Sequence, residues 1–466
     1  MKKILLGVSL CVAMYACNDN AFINEPVQEN EAVLSRSGET ASVENYTVTP
    51  EMVCKYLNIA RKGKTINSLT PVVENGDTLA YVAQYADTLG WDLISGDRRL
   101  DPILANSETG VLNLSDTINP ANGAVKGMVD LVKTKKESLD TLKNNIWRFL
   151  EPKAVSQENR PQSRGWGSGK WIVSDTVYES DTYTRPHIIT TIWGQDTPWN
   201  TYTPRINGDR TKVGCVPVAV GQIIYHFRKN NHRDIALPST ITFSNPNNGE
   251  PIFSNSKTSL WSTMELSRNY VVDSNNSSTA KFLSYIGNQM NSIYGINETG
   301  TDIANIEPLL TQYKIAYNRL NVYNFYTIIN ELEVSKPVFI SMSRHSFIID
   351  AYTHSYERMY IRYEWDPNYE LQEGEDAQMP PANADDKEGN IRIEYITQQE
   401  TYYLMMNWGF DANYSWYNDY SFLAYSFNQV YGGQDATETL YSPSWTLPDG
   451  RTYNNLRFLL YNLREQ

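Results

Sequence analysis

The run from Gly214 to Phe227 constrains this chain more than any other stretch. Val216, Ala219, Val220, Ile223, Ile224 and Phe227 recur at i, i+3, i+4, i+7, i+8 and i+11, so the segment is a helix whose apolar face must be covered. Pro217 fixes where it begins, because proline is tolerated only in the first turn, and Gly214 permits a sharp entry. Three further apolar runs read as strands: Lys336 to Ile340, Ser346 to Tyr352 and Tyr402 to Met406.

The chain has 466 residues, enough for two packed domains. Its 40 Lys plus Arg against 53 Asp plus Glu leave a net charge of −13, which repels phosphate backbones and argues against a nucleic-acid partner. The 32 Tyr argue against disorder, and no apolar window after the N-terminus is long enough to span a bilayer.

Met1, Lys2 and Lys3 precede an apolar run from Ile4 to Met14, and Ala16-Cys17 leads into Asn18, Asp19 and Asn20. This reads as an export signal over 1–16. A small residue before a cysteine at that point resembles the bacterial lipoprotein pattern, so Cys17 is the expected lipidation site and plain secretion the alternative. The mature chain then keeps Cys54 and Cys215 and has no disulfide framework; Cys54 reads as a small core residue.

Residues 17–45 form a polar tether. From 46 to 151 the chain reads as a small α+β domain. Thr49-Pro50-Glu51 opens a helix, Thr78 to Tyr85, Trp91 to Ile94 and Pro102 to Ala105 are strands, and a second helix spans about Gly127 to Leu150 and stops at Pro152. Residues 152–170 are an exposed linker open to nicking, and 171–466 form the larger unit. Gly165 to Lys170 lacks the glycine spacing of a phosphate loop.

Gly214-Cys215-Val216-Pro217 puts Cys215 at the helix start, where free amides and the positive dipole end favour thiolate. The alternative is a buried small residue. A thiolate nucleophile needs an imidazole, and the chain has five histidines, at 187, 226, 232, 345 and 354. His226 lies eleven residues along the same helix, roughly 16 Å away, and His232 suffers similarly; His187 and His354 are not excluded by reach. His345 stands at a strand start after a polar bend at Ser341 to Arg344, where rigid backbone can aim it into a cleft. Asn407 and Trp408 end the third strand, an amide to accept from the imidazole and an indole to cover the contact. Taken singly, each has a structural reading; their order, Cys then His then Asn, is a cysteine-protease order.

These residues resemble the streptopain family of papain-like cysteine peptidases. The resemblance runs through Trp193 to Asn200, Gly214-Cys215-Val216 with Gln222-Ile223 and Tyr225-His226, His345 to Asp350, and Asn407-Trp408-Gly409; Thr49 to Glu108 is similar to that family's propeptide. It implies a papain-like α+β catalytic domain, with the Cys215 helix packed on an antiparallel sheet that bears His345 and Asn407. It implies Cys215 as nucleophile and His345 as general base, with Asn407 and Trp408 orienting and shielding the imidazole. The Cys215 amide and Gln195 are the oxyanion-hole candidates. Three positions depart from the family pattern: Arg344 for a glycine, Pro217 for a small residue, and Phe410-Asp411-Ala412 for Trp-Gly-Gly.

The expectation is an exported, lipid-anchored cysteine endopeptidase at the cell surface or in the periplasm. It is made as a zymogen, with protein or peptide substrates, its own propeptide as partner in cis and membrane contact through the lipid alone. No cofactor is expected, and no zinc pattern is present; the acidic clusters at Glu373 to Asp376 and Asp385 to Glu388 read as solvated loops. The rival is a surface-anchored binding protein on a degenerate peptidase scaffold.

Overall fold

The computed structural model describes residues 46–115, 121–138, 147, 170–229, 237, 240–241, 252–253, 261–267, 270–271, 276–367, 385–386, 391–410, 421–430, 437–440, 445–446, 452–453 and 455–466. The signal, Cys17, the tether, Glu373 to Asp376 and the linker up to 169 lie outside the described residues.

Thr49 caps α1 (Pro50–Ala60): its Oγ1 accepts from the Met52 amide at 3.3 Å, and Val53, Tyr56 and Leu57 face inward. Strands β1 (Ile66–Glu74) and β2 (Asp77–Tyr85) form a hairpin, of which sequence reading found only the second half. Asn75 and Gly76 turn it with φ of 53° and 90°, the left-handed pair a tight hairpin needs. Strands β3 (Trp91–Ser95) and β4 (Ile103–Ser107) fall on predicted runs. Helix α2 (Ala121–Ser138) starts before the predicted Gly127, because its apolar face already includes the buried Val125. Cys54, on α1, is half-buried and packs against the core, as a small core residue would, and Cys215 is a free thiol.

The larger unit opens with β5 (Lys170–Arg185), which begins at the last residue of the expected linker. Helices α3 (Cys215–Arg228), α4 (Ser278–Gln289) and α5 (Ile306–Gln312) follow, then β6 (Ile315–Leu320) and α6 (Phe325–Glu333). Strands β7 (Val338–Met342), β8 (Ser346–Asp366), β9 (Ile391–Asn407), β10 (Ser421–Val430), β11 (Thr437–Leu440) and β12 (Leu456–Glu465) complete it, apart from two-residue ribbons. One antiparallel sheet runs β1-β2-β3-β4-β10-β9-β8-β7-β12-β6, with β5 paired to β8 and β11 to β10. The fold is α+β, with α3 against an antiparallel sheet as expected.

Successive side chains of a strand point to opposite faces, and here they feed two cores. Phe339, Ile348 and Leu460 join Val216, Val220, Ile223, Phe282 and Leu283 on the α3 and α4 side. Val338, Ile340, Phe347, Ile349 and Leu459 join the opposite core, which continues into Trp91, Leu93 and Leu104 of the N-terminal unit. Sequence periodicity gave α3 one buried face; in the structure it is buried nearly all round. Gly221 lets α4 come close, since a Cβ there would lie 2.9 Å from Leu283 Cδ2.

The N-terminal unit joins the larger one as sheet, Ala105 opposite Phe422 and Asn106 opposite Ser421. Polar groups are buried at this junction. Asp101 accepts from Gln399 Nε2 at 3.0 Å and Ser426 Oγ at 2.6 Å, and Arg61 makes a bidentate pair with Asp92. The carboxyl end of Glu357 is also buried, with Tyr178, Arg61, Asp92 and Asp101 as its electrostatic neighbours.

Burial raises the Glu357 carboxyl above the usual carboxylate range, partly opposed by Tyr178 and Arg61. A raised folded value means that the folded state holds the proton longer. The stability it contributes is complete below the ordinary value of about 4.3 and is lost as pH rises through the raised one. Thermal unfolding of Glu357→Gln should therefore match the parent near pH 4 and exceed it at pH 8; a difference that does not grow with pH would refute this.

Candidate active site

Cys215 is the first residue of α3. Gly214 precedes it at φ 98°, a left-handed conformation, and a Cβ there would lie 3.1 Å from Thr299 Cγ2. The amides of Ser346, Val216 and Cys215 itself favour thiolate at the sulfur, but burial outweighs them and the thiol is pushed up. The Ser346 contact matters for geometry: it brings the nucleophile's helix against the residue that follows His345.

His345 sits in the turn between β7 and β8, where the Met342 amide donates to its carbonyl at 2.8 Å. Strand β9 lies beside β8 with Asn407 opposite Ile348, so the chain beyond Asn407 emerges next to that turn. The Trp408 backbone carbonyl accepts from the imidazole, and burial lowers the ring's pKa to about 4 despite it. Arg344 is exposed; burial, with no part for Arg344, sets the His345 value. Burial thus works against charge on both members of the pair, raising the thiol and lowering the imidazole. The expected thiolate and imidazolium pair would need water or a closer ion partner to offset this burial.

Asn407 does not orient the ring by its side chain. Its Nδ2 donates to the Thr191 carbonyl at 2.9 Å and to Gln222 Oε1 at 3.2 Å, and its Oδ1 accepts from the Gly409 amide and Gln222 Nε2, each at 3.3 Å. The expected amide-to-imidazole contact is replaced by the Trp408 carbonyl, one residue on. Trp408 itself is buried, and its ring lies 26° from the imidazole plane at 6.1 Å. Phe410 stacks closer to parallel, at 8° and 5.5 Å, so this departure from the family pattern also walls the imidazole.

Gln195 is half-buried, and its carbonyl accepts from the Val213 amide at 2.9 Å, which straps it to the entry of α3. The other histidines are engaged elsewhere. His187 Nδ1 is 2.8 Å from Asp350 Oδ1, His354 stacks on Tyr402 at 4.1 Å, and His226 is a half-buried ring edge-on to Phe227, its pKa lowered to about 4 by burial. His232 lies outside the described residues. Among the described residues no group of three His, Cys, Asp or Glu could hold a metal ion. Sequence reading missed Gln222 as a site residue, although its position seven after Cys215, a buried amide in an apolar helix, was a signal.

Residues 193–370 match the model of the Peptidase C10 family, a stretch that includes Cys215 and His345 and ends before Asn407. Among solved structures, the chain is similar to a prointerpain A fragment from Prevotella intermedia at 17% identity, covering 76% of this chain and 97% of that one, with a TM-score of 0.43. It is also similar to active wild-type interpain A cysteine protease of the same organism at 15% identity, covering 60% and 94%, with a TM-score of 0.34. Among curated proteins none matches.

Gly409 has φ 73°, and a Cβ on it would lie 3.1 Å from Val218 Cγ1 of α3. Gly409→Ala should cost about 1–2 kcal/mol in unfolding experiments from the left-handed backbone alone. It should also slow any Cys215 chemistry by moving the Trp408 carbonyl; an unchanged rate would mean that this corner does not set the imidazole.

Proposed function

We propose that this chain, which belongs through residues 193–370 to the Peptidase C10 family, is the precursor of an exported cysteine endopeptidase held inactive by residues 46–151. The observation that carries the reading is the convergence of Cys215, at the start of α3, on the Ser346 amide next to a wall-enclosed His345. Once rehydrated, His345 takes the thiol proton as Cys215 Sγ attacks a peptide carbonyl carbon, and returns it to the leaving amine. Water then cleaves the thioester with His345 as base. The Trp408 carbonyl stabilises the imidazolium formed in each step. The Cys215 amide, with Gln195 beside it, faces the oxyanion.

Latency has a structural route. Phe422, paired with Ala105 of β4, sets its ring edge-on to Trp408 at 6.0 Å, and Trp408 lies over the imidazole. The N-terminal unit thus supports the dehydrated wall around His345. Cleavage between 152 and 169 would allow it to leave, with β5 retained along β8. Cys17 would anchor the precursor through lipid at the cell surface or periplasmic face.

The test is iodoacetamide labelling of Cys215 across pH in the full chain, before and after limited proteolysis within 152–169, with Cys215→Ala and His345→Ala as controls. Processing should accelerate labelling at pH 7 at least tenfold, the change brought by a one-unit fall in thiol pKa. Acceleration should need His345. Labelling that ignores both processing and His345 would favour the binding-protein reading. Separately, Cys17→Ala should move the expressed protein from the detergent phase to the aqueous phase; no redistribution would refute the anchor.

A further inference from the structure

Gln222 is fully buried on α3, seven residues after Cys215 and so on the same helix face, about 10 Å along the axis. Its Oε1 accepts from Thr191 Oγ1 at 3.1 Å, from the Trp193 amide at 3.4 Å and from Asn407 Nδ2 at 3.2 Å. Its Nε2 donates to Asn407 Oδ1 at 3.3 Å, so the two amides form a reciprocal pair. The polarity of each is fixed from outside: the Trp193 amide can only donate to Gln222, and the Thr191 carbonyl can only accept from Asn407. One buried group therefore ties together the nucleophile's helix, the segment leading to Gln195, and the corner whose next carbonyl holds His345.

We propose that Gln222 is a positioning residue for the peptidase reaction: through Asn407 it sets the Trp408 carbonyl, and hence the imidazole, relative to the Cys215 end of α3. This rests on the reading of Cys215 and His345 as the reacting pair. Gln222 touches neither of them and acts through backbone it holds in place. Misplacement of a reacting group by about 1 Å can cost on the order of 10²-fold in rate. Loss of this tie is expected to be of that size.

Two substitutions in the full chain, processed within 152–169, separate positioning from folding. Gln222→Leu keeps the volume and removes all four hydrogen bonds. Its Cys215 alkylation at pH 7 should fall on the order of 10²-fold, at a temperature well below its measured unfolding midpoint. Gln222→Glu keeps the acceptor, but when ionised it has no proton to give Asn407 Oδ1. When protonated, its O–H restores that bond. Alkylation by this variant, as a ratio to the parent at each pH, should therefore recover as pH falls and collapse as the new carboxyl ionises.

Parent-like rates and pH profiles in both variants, with the parent still His345-dependent, would overturn the role of Gln222 and leave the peptidase reading intact. A parent that does not alkylate rapidly would instead sink the peptidase reading, and the positioning role with it. If Gln222→Leu does not fold, the acid rescue of Gln222→Glu decides alone: rescue supports the proposal, and a flat ratio refutes it.

Discussion

The burial of α3 on nearly all sides is the constraint from which the rest of the molecule follows. Val216, Val220, Ile223 and Ile224 are each almost wholly out of water, and every such side chain contributes about 1.5–3 kcal/mol. An unsatisfied buried amide costs about 1–3 kcal/mol, so the helix can carry Gln222 only with its hydrogen bonds filled. Because α3 is central, its N-terminus opens against the core, and the residue placed there is half-buried among apolar neighbours. Cys215 inherits both effects, amide donors that favour thiolate and burial that opposes it.

The same economy shapes the other half of the site. Strands β8 and β9 must pair so that Phe347 and Ile348 reach opposite cores, and that register brings the corner after Asn407 beside the turn at His345. The imidazole is then held by a main-chain carbonyl and walled by Trp408 and Phe410. A wall of rings removes water, and that burial is what lowers the imidazole pKa. The sheet that creates this wall continues through β10 into β4, so the N-terminal unit is structurally continuous with the site's apolar surroundings.

Much of the fold was legible because its signals are local. Thr49 before Pro50 marks α1, the period of α3 marks its apolar face, and the bend from Ser341 to Arg344 marks the turn that holds His345. The β1 hairpin was equally local in Asn75-Gly76 and was overlooked. Strand β5 was harder: no strand was read in 171–185, and pairing with β8 between residues more than 160 positions apart leaves no mark in either segment alone.

By itself the sequence determined that a thiol would stand at a helix start and that one histidine would stand where a strand begins. Periodicity, caps and turns depend on neighbours within a few positions, which the chain states outright. Only the tertiary structure decided that the imidazole leans on the Trp408 carbonyl, with the Asn407 amide facing Gln222, and that burial opposes charge on both the thiol and the ring. Every residue carries a backbone carbonyl, so sequence cannot mark the one that will be used, and burial is a sum over side chains brought together from the whole chain.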